Sequence, residues 1–478
     1  MDRAELSGAI IEELGQLFAE ALKRKAVRLV SSDLDGIEQC LQEVGRGIFG
    51  RVVEQTVAAI ATAQASERPK CGQCQQLMRL VERERSRQLQ GLVGDYSLAR
   101  AYFFCDDCRQ GAAPIDEQLG LGTGALSPGL ERVACRLGIS DSFAEAADCL
   151  HETLRVELVG EAVRRDTERI GAVAEAEAQA AMALAQVGKD PLPAAAIEAT
   201  PSTLLVEVDG TMVHEIDGQW HEAKAGLAAA LGPKVHEDKE TGRKTLAMGQ
   251  PSYCVGFESA EWFWFRVYVE ACRRGLGTAL VSLVVVLGDG AEWIWHYASQ
   301  FLAVAGVKVI EIVDIYHAFE HLEVVADVVF GQGSEAAKQW VGPLKERLES
   351  EGVAPVLTEL AGLKPGDGKA SDEVRKAIGY FTDNAARMDY PRFVALNLPI
   401  GSGAIESSCK TLIQEREKGA GMRWTEAGAQ DVASLRAVYR SGRWKAFWNS
   451  HPQRRRPTVL PRRQTLSTPL QALVRQAA

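Results

Sequence analysis

Carboxylates and thiols stand in this chain at spacings suited to metal chemistry. The stretch Ser202 to Val213 runs apolar and β-branched through Leu204, Leu205, Val206 and Val208, then stops at Asp209-Gly210. Thr278 to Gly288 repeats the pattern and ends in Asp289-Gly290, and Val307 to Val313 ends in Asp314. Such runs read as strands buried on both faces. Parallel strands of an open α/β sheet deliver their end residues side by side, into the crevice where ligands bind. Later, Gly401-Ser-Gly-Ala-Ile-Glu406 makes a tight turn, with Ser402 as a cap, and opens a helix that buries Ile405, Cys409 and Leu412. Glu406 lies in its first turn, and Lys410, a candidate DNA contact, one turn on, along the same side. Two strand ends and a helix thus offer Asp209, Asp289 and Glu406 as oxygen ligands for two Mg²⁺ (or Mn²⁺) ions. Ions ~4 Å apart serve an in-line displacement at a phosphodiester. Any one of these aspartates alone reads equally as a turn former; the conjunction carries the expectation.

The thiols form a second set. Cys71-Gly-Gln-Cys74 and Cys105-Asp-Asp-Cys108 are two C-x-x-C knuckles, with the alternating stretch Tyr96 to Phe104 running into the second. Four thiolates on two knuckles suit one tetrahedral structural Zn²⁺. The competing readings are a redox pair or ordinary buried cysteines, and the paired knuckles favour zinc. Asp314 and His317 are three apart at a helix start. They read either as groups that orient the site or DNA, or as a cap and a satisfied histidine.

These residues must be positioned by the rest of the chain. Residues 1–66 carry helical spacing with a break near Ser32 to Gly36, and suggest a packing or dimerisation module. Residues 67–117 form the expected zinc ribbon. Residues 118–199 read as helices and a linker, with a capping box at Ser142 and Glu145. A helix bearing Arg164, Arg165 and Arg169 there resembles the second helix of a helix-turn-helix, or the solvated face of a plain bundle. Residues 200–318 and 396–449 make the two parts of an α/β core, separated by a helical insertion at 319–395. A βαβ crossover needs far fewer residues. After Glu406 come Arg416, Lys418, Arg423 and Trp424 around a Gly419/Gly421 break. Basic residues among aromatics suit DNA phosphates and unstacked bases. Trp444 and Trp448 read as DNA contacts or core seals, while Trp220 and Lys224 read as structural.

Composition bounds the rest. The 478 residues are 46% apolar and carry a formal charge of −10, enough for packed cores and unlike a simple nucleic-acid coat. Distribution matters more: no acidic residue follows Asp431, and residues 450–478 hold Arg454-Arg-Arg456, Arg462 and Arg463 in what reads as a disordered basic tail. The start lacks an apolar signal region, and no apolar run reaches the ~20 residues that span a bilayer. A cytoplasmic, nucleoid-associated protein with no membrane partner is expected.

Val208-Asp-Gly210, Gly288-Asp-Gly-Ala-Glu-Trp-Ile294, Asp314-Ile-Tyr-His317, Gly401-Ser-Gly-Ala-Ile-Glu406 and Met422-Arg-Trp424 fall in one order. Together with the cysteine knuckles, over roughly residues 70 to 450, they resemble bacterial insertion-sequence transposases of the DDE type, in particular the ISKra-type group. The resemblance implies a ribonuclease-H-like core in which Asp209, Asp289 and Glu406 are the catalytic metal triad. It also likens Asp314 and His317 to the C/D-x-x-H signature of related superfamilies. The implied substrate is double-stranded DNA, both element ends and target, handled by a homodimer or larger assembly. Two other readings stand beside it: a structure-selective nuclease on the same core, and a non-catalytic zinc-ribbon DNA binder.

Overall fold

In the computed structural model the described residues are 3–64, 68–122, 124–200, 202–239, 242–364 and 368–450. The basic stretch 451–478 lies outside them. The chain divides into two units, one holding residues up to 173 with 444–450, the other residues 174–443.

The first unit begins with two long helices, α1 (Arg3–Ser31) and α2 (Leu34–Gln64). Lys25 and Arg28 of α1 both reach Glu43 of α2, at 2.8 and 3.0 Å. A three-stranded antiparallel sheet follows: β1 (Arg79–Gly91), β2 (Gly94–Cys105) and β3 (Gln110–Ala112), then the short α3 (Pro114–Gln118). Val57 of α2 packs with Leu89, Leu98 and Ile115. At the hairpin turn Gly94 has φ +151°, and a Cβ there would meet the Arg46 carbonyl at 2.1 Å; glycine is what lets helix and hairpin approach. Next come α4 (Pro128–Gly138), α5 (Phe143–Leu154) and α6 (Gly160–Gln186). The box expected at Ser142 and Glu145 forms reciprocally, with both bonds 3.2 Å. Leu130, Ala134, Leu150 and Val163 make the small core of these helices. The division between units falls within α6, which ends at Gln186 and leaves 187–199 as a stretch without α-helix before β4.

The second unit is a mixed α/β layer. Its strands are β4 (Ser202–His214), β5 (Trp220–Glu237), β6 (Lys244–Met248) and β7 (Ser252–Gly256), then after α7 (Ala260–Arg273) β8 (Val281–Gly288), and after α8 (Glu292–Leu302) β9 (Lys308–Val313). Sheet order is β6-β5-β4-β8-β9, with β7 also on β5. β4 is antiparallel to β5 and parallel to β8, which is parallel to β9. Val284, Val285, Val286 and Leu287 are fully buried, as a two-sided central strand requires. Buried Arg266 of α7 pairs with Glu258 and, at 2.6 Å, with Glu175 of α6, so its charge is compensated.

Beyond β9 the chain makes α9 (Ile315–Phe330), α10 (Glu335–Glu351), α11 (Ala354–Gly362), α12 (Lys369–Asp383) and α13 (Tyr390–Ala395). This segment buries Leu344, Leu348, Val356, Phe381 and Tyr390 in the same cluster as the sheet residues; the helices share one core with the strands. The chain returns through α14 (Gly403–Cys409), a wide π turn at Lys410–Gln414, α15 (Glu415–Glu417), α16 (Glu426–Arg440) and α17 (Trp444–Ser450). Trp448 is buried and meets Trp444 edge-on at 5.5 Å, which favours the sealing role for that pair. No helix among the described residues is long and apolar enough to cross a membrane.

Candidate functional site

Register brings the strand-end aspartates into one row. Glu207 pairs with Leu287 across β4 and β8, and Gly288 with Val313 across β8 and β9. Continuing each register sets Asp209, Asp289 and Asp314 abreast, on strands ~4.8 Å apart. Electrostatics agrees: burial raises the Asp209 carboxyl, the charge of Asp289 raises it further, and the Cys409 thiol and Gly210 N–H oppose the rise.

Alternation along β4 puts Glu207, Asp209 and Thr211 on one face. The late helix follows that face. Ile405 N–H donates to Glu207 Oε2 at 2.8 Å, Cys409 bonds Asp209, and Gln414 and Lys418 donate to Thr211 Oγ1 at 3.4 and 2.7 Å. Glu406 is thereby held over the strand ends. Glu207 is wholly buried, and burial first, then the charges of Asp314 and Glu406, push it up to about 8.

Asp314, His317 and Glu406 form a three-residue group whose ligand atoms all lie within 4.8 Å of one another. Ser402 links them: its Oγ lies 2.6 Å from Asp314 Oδ2 and 3.1 Å from Glu406 Oε1, and its single hydrogen is shared between the two carboxylates. Ser402 was expected to cap α14, yet it makes no side-chain cap bond there; its hydroxyl serves the carboxylates instead. Asp314 does cap α9, accepting from Tyr316 N–H at 3.0 Å. Burial works to raise Asp314, but bonds from His317, Ser402 and Tyr316 hold it below the usual range. The His317 imidazole donates from Nδ1 to Asp314 Oδ2 at 2.9 Å, and this bond raises it to about 9. The cation thus stands among Asp314, Glu320 and Asp289. Tyr380 of α12 donates to the Asp289 carbonyl at 3.1 Å and stacks on His321 at 3.8 Å. Gly290 has φ +102°, and a Cβ there would meet the Tyr380 ring at 2.7 Å. Crowded carboxylates are oxygen donors that suit hard divalent cations, while the protonated imidazole offers a positive charge and no lone pair.

The cysteine knuckles also converge. The four sulfurs lie within 4.8 Å of one another, with Cys74 and Cys105 3.5 Å apart. Gln75 and Arg109, one residue past each knuckle, have φ of 62° and 52°. N–H groups of Cys74 and Gln73 pull the Cys71 thiol down to about 7. Such a set could hold a metal such as zinc.

The residues expected to meet DNA fare differently. Arg416 is only 1% exposed, its guanidinium 4.8 Å over the Trp424 ring, and Trp424 is itself buried, donating Nε1–H to the Glu417 carbonyl. These two belong to the interior and cannot meet a duplex; sequence spacing could not tell a basic-aromatic surface from a stacked core pair. Arg169 is held by Glu131 and Asp166, and Arg164 by Glu161 and Glu168. Arg165, Lys410 and Arg423 are exposed. Glu207, Cys409 and Tyr380 had no expected role in the site. An acid inside an apolar run, two residues before Asp209, was the available signal for the first.

The model of a family described as an uncharacterised protein family, UPF0236, matches residues 29–449. No curated protein matches the chain.

Proposed function

We propose that this chain, which belongs to the UPF0236 family, is a DDE-type DNA transposase built on a ribonuclease-H-like core. The observation that carries the reading is the row of Asp209, Asp289 and Asp314 across three parallel strands, with Glu406 laid over it by the Glu207–Ile405 bond. The strand order β6-β5-β4-β8-β9 supports the ribonuclease-H-like assignment. Asp209, Asp289 and Glu406 would hold two Mg²⁺ or Mn²⁺ ions, whose chemistry is activation of the attacking oxygen and stabilisation of the leaving one.

The protein's own residues do the positioning. Ser402 fixes the rotamers of Asp314 and Glu406 at once, and Asp314 fixes His317. The imidazolium offers a cation beside the phosphate to be displaced. Hydrolysis at an element end frees a 3′-OH, and that hydroxyl then attacks a target phosphodiester with no covalent enzyme intermediate. The four cysteines would hold one structural Zn²⁺, and the unit that carries them would bind DNA, with Arg165 as its exposed arginine on α6. Handling two ends calls for at least two copies. Exposed Ile11, Phe18, Val27 and Val30 of α1 support self-association there.

The test is incubation of the purified protein with Mg²⁺ or Mn²⁺ and DNA carrying the inverted repeats that flank its gene. Nicked and joined products are expected from the native chain, and Asp289→Asn should lower both by about 10³-fold or more. Nicks without joined product favour the nuclease reading. Equal activity from Asp289→Asn ends the metal-triad proposal.

A further inference from the structure

The β4–β5 hairpin ends in an aromatic stack whose outer side is open. His214 and Trp220 face each other across the strand pair with ring centroids 4.9 Å apart and planes 25° apart. Cross-strand ring pairs ordinarily serve the sheet. Here Trp220 is 58% exposed, so much of the ring is spent on no protein contact. The two rings help to wall a cavity of about 210 Å³, which Lys418, Gly419, Gly421 and Arg423 also line. That is below the ~300–1,000 Å³ of pockets that take whole cofactors or drug-sized ligands. It admits one flat ring system.

The exposed rim is cationic, and Glu417, the carboxylate among the lining residues, is buried and pushed up to about 8 by that burial. Arg423 and Lys418 are exposed. The nearest carboxylates at the hairpin tip, Asp217 and Glu215, face His221 at 3.1 and 4.0 Å. Lys418 also joins the cavity to the carboxylate row: its Nζ donates to Thr211 Oγ1 at 2.7 Å, two residues along β4 from Asp209. His214 lies five residues beyond Asp209 on one strand, a distance of ~17 Å at strand rise. That span equals roughly five nucleotide steps of B-form DNA.

A π-face, a slot one ring wide and cations for the flanking phosphates are what an unpaired nucleobase requires. From this we infer that the His214–Trp220 stack receives an unpaired base of the DNA strand, a few nucleotides from the phosphate held at Asp209. The inference rests on the transposase reading and names a subsite of it. The stack explains the aromatic and basic residues around the Gly419/Gly421 break better than Trp424 does, because Trp424 is buried and Trp220 is open.

The experiment uses the full chain, a blunt duplex, and the same duplex with a four-nucleotide 3′ overhang bearing 2-aminopurine. The native protein should bind the overhang duplex more tightly than the blunt one and change the 2-aminopurine fluorescence. Trp220→Ala should weaken overhang binding by roughly ten-fold or more and abolish the fluorescence change, with blunt-duplex affinity unaltered. Trp220→Phe should retain both. A native overhang preference that survives Trp220→Ala overturns the inference. So does a variant whose only change is in self-association by sedimentation, or a native protein that binds an RNA overhang more tightly than the DNA one. Binding of both duplexes with equal affinity sinks the base subsite but leaves the transposase reading standing. Binding of neither removes both.

Discussion

At the residue scale, one hydroxyl links two acids. Ser402 bonds Asp314 and Glu406, so Ser402→Ala should free Glu406 to turn, while His317 and Tyr316 still hold Asp314. Loss of such an orienting partner costs about 10- to 100-fold in metal affinity or activity. Strand cleavage should fall by that factor, with the melting temperature little changed. A second residue, next to Lys418 in the chain, gives a pH signature. Glu417 is wholly buried and pushed from 4.5 up to about 8 by burial, against the charges of Arg436 and Arg416 and with that of Glu215. The folded chain therefore keeps a proton there that the unfolded chain releases. Its contribution is fully present below about pH 4.5 and is lost as pH rises through about 8. Glu417→Gln should accordingly be stabilised relative to the native chain as pH rises. The gap should grow by at least about 1 kcal/mol between pH 5 and pH 8, read by urea unfolding at each pH.

At the element scale, α14 is fastened to β4 by the bond from Ile405 N–H to Glu207. Glu207→Ala should remove one of the two acceptors of Ile405 N–H, leaving the Ser402 carbonyl at 3.0 Å, at a cost of about 0.5–1.5 kcal/mol. Glu207→Gln keeps an acceptor and should recover most of it, both read as shifts in denaturation midpoint. This bond also marks the limit of what the sequence conveyed. Asp209, Asp289 and Asp314 were legible because near-continuous apolar runs end on them and parallel pairing aligns such ends. The capping box at Ser142 was legible because its two partners are local. Glu207, Cys409, Tyr380 and the Ser402 bridge were not, since each depends on a neighbour distant in sequence: Tyr380 is 91 residues from Asp289 and Ile405 is 198 from Glu207. Arg416 and Trp424 were misplaced for the same reason. Exposure is a property of the packed chain, and the pattern of basic and aromatic residues is alike on a surface and in a stacked pair.

At the scale of the whole molecule, the thiols and the carboxylates belong to different units. A small three-stranded sheet has little core of its own, and a metal on its knuckles would supply part of its folding free energy. Cys105→Ser should therefore release the bound zinc, about one ion per chain. Amide hydrogen exchange should then rise sharply within 68–112, while amides of β4, β8 and β9 keep their protection. Uniform loss of protection across both units would show that they do not unfold separately.

The wide π turn at Lys410–Gln414 divides one continuous rod into two halves with different duties. Upstream sit Glu406 and its anchors; downstream sit Lys418 and the glycine break. Removing a single residue from that turn would rotate everything beyond it by about 100°, while the upstream half stays seated. A lineage could thus re-aim Lys418 and the glycine break, by one small insertion or deletion, without disturbing Glu406 and its anchors.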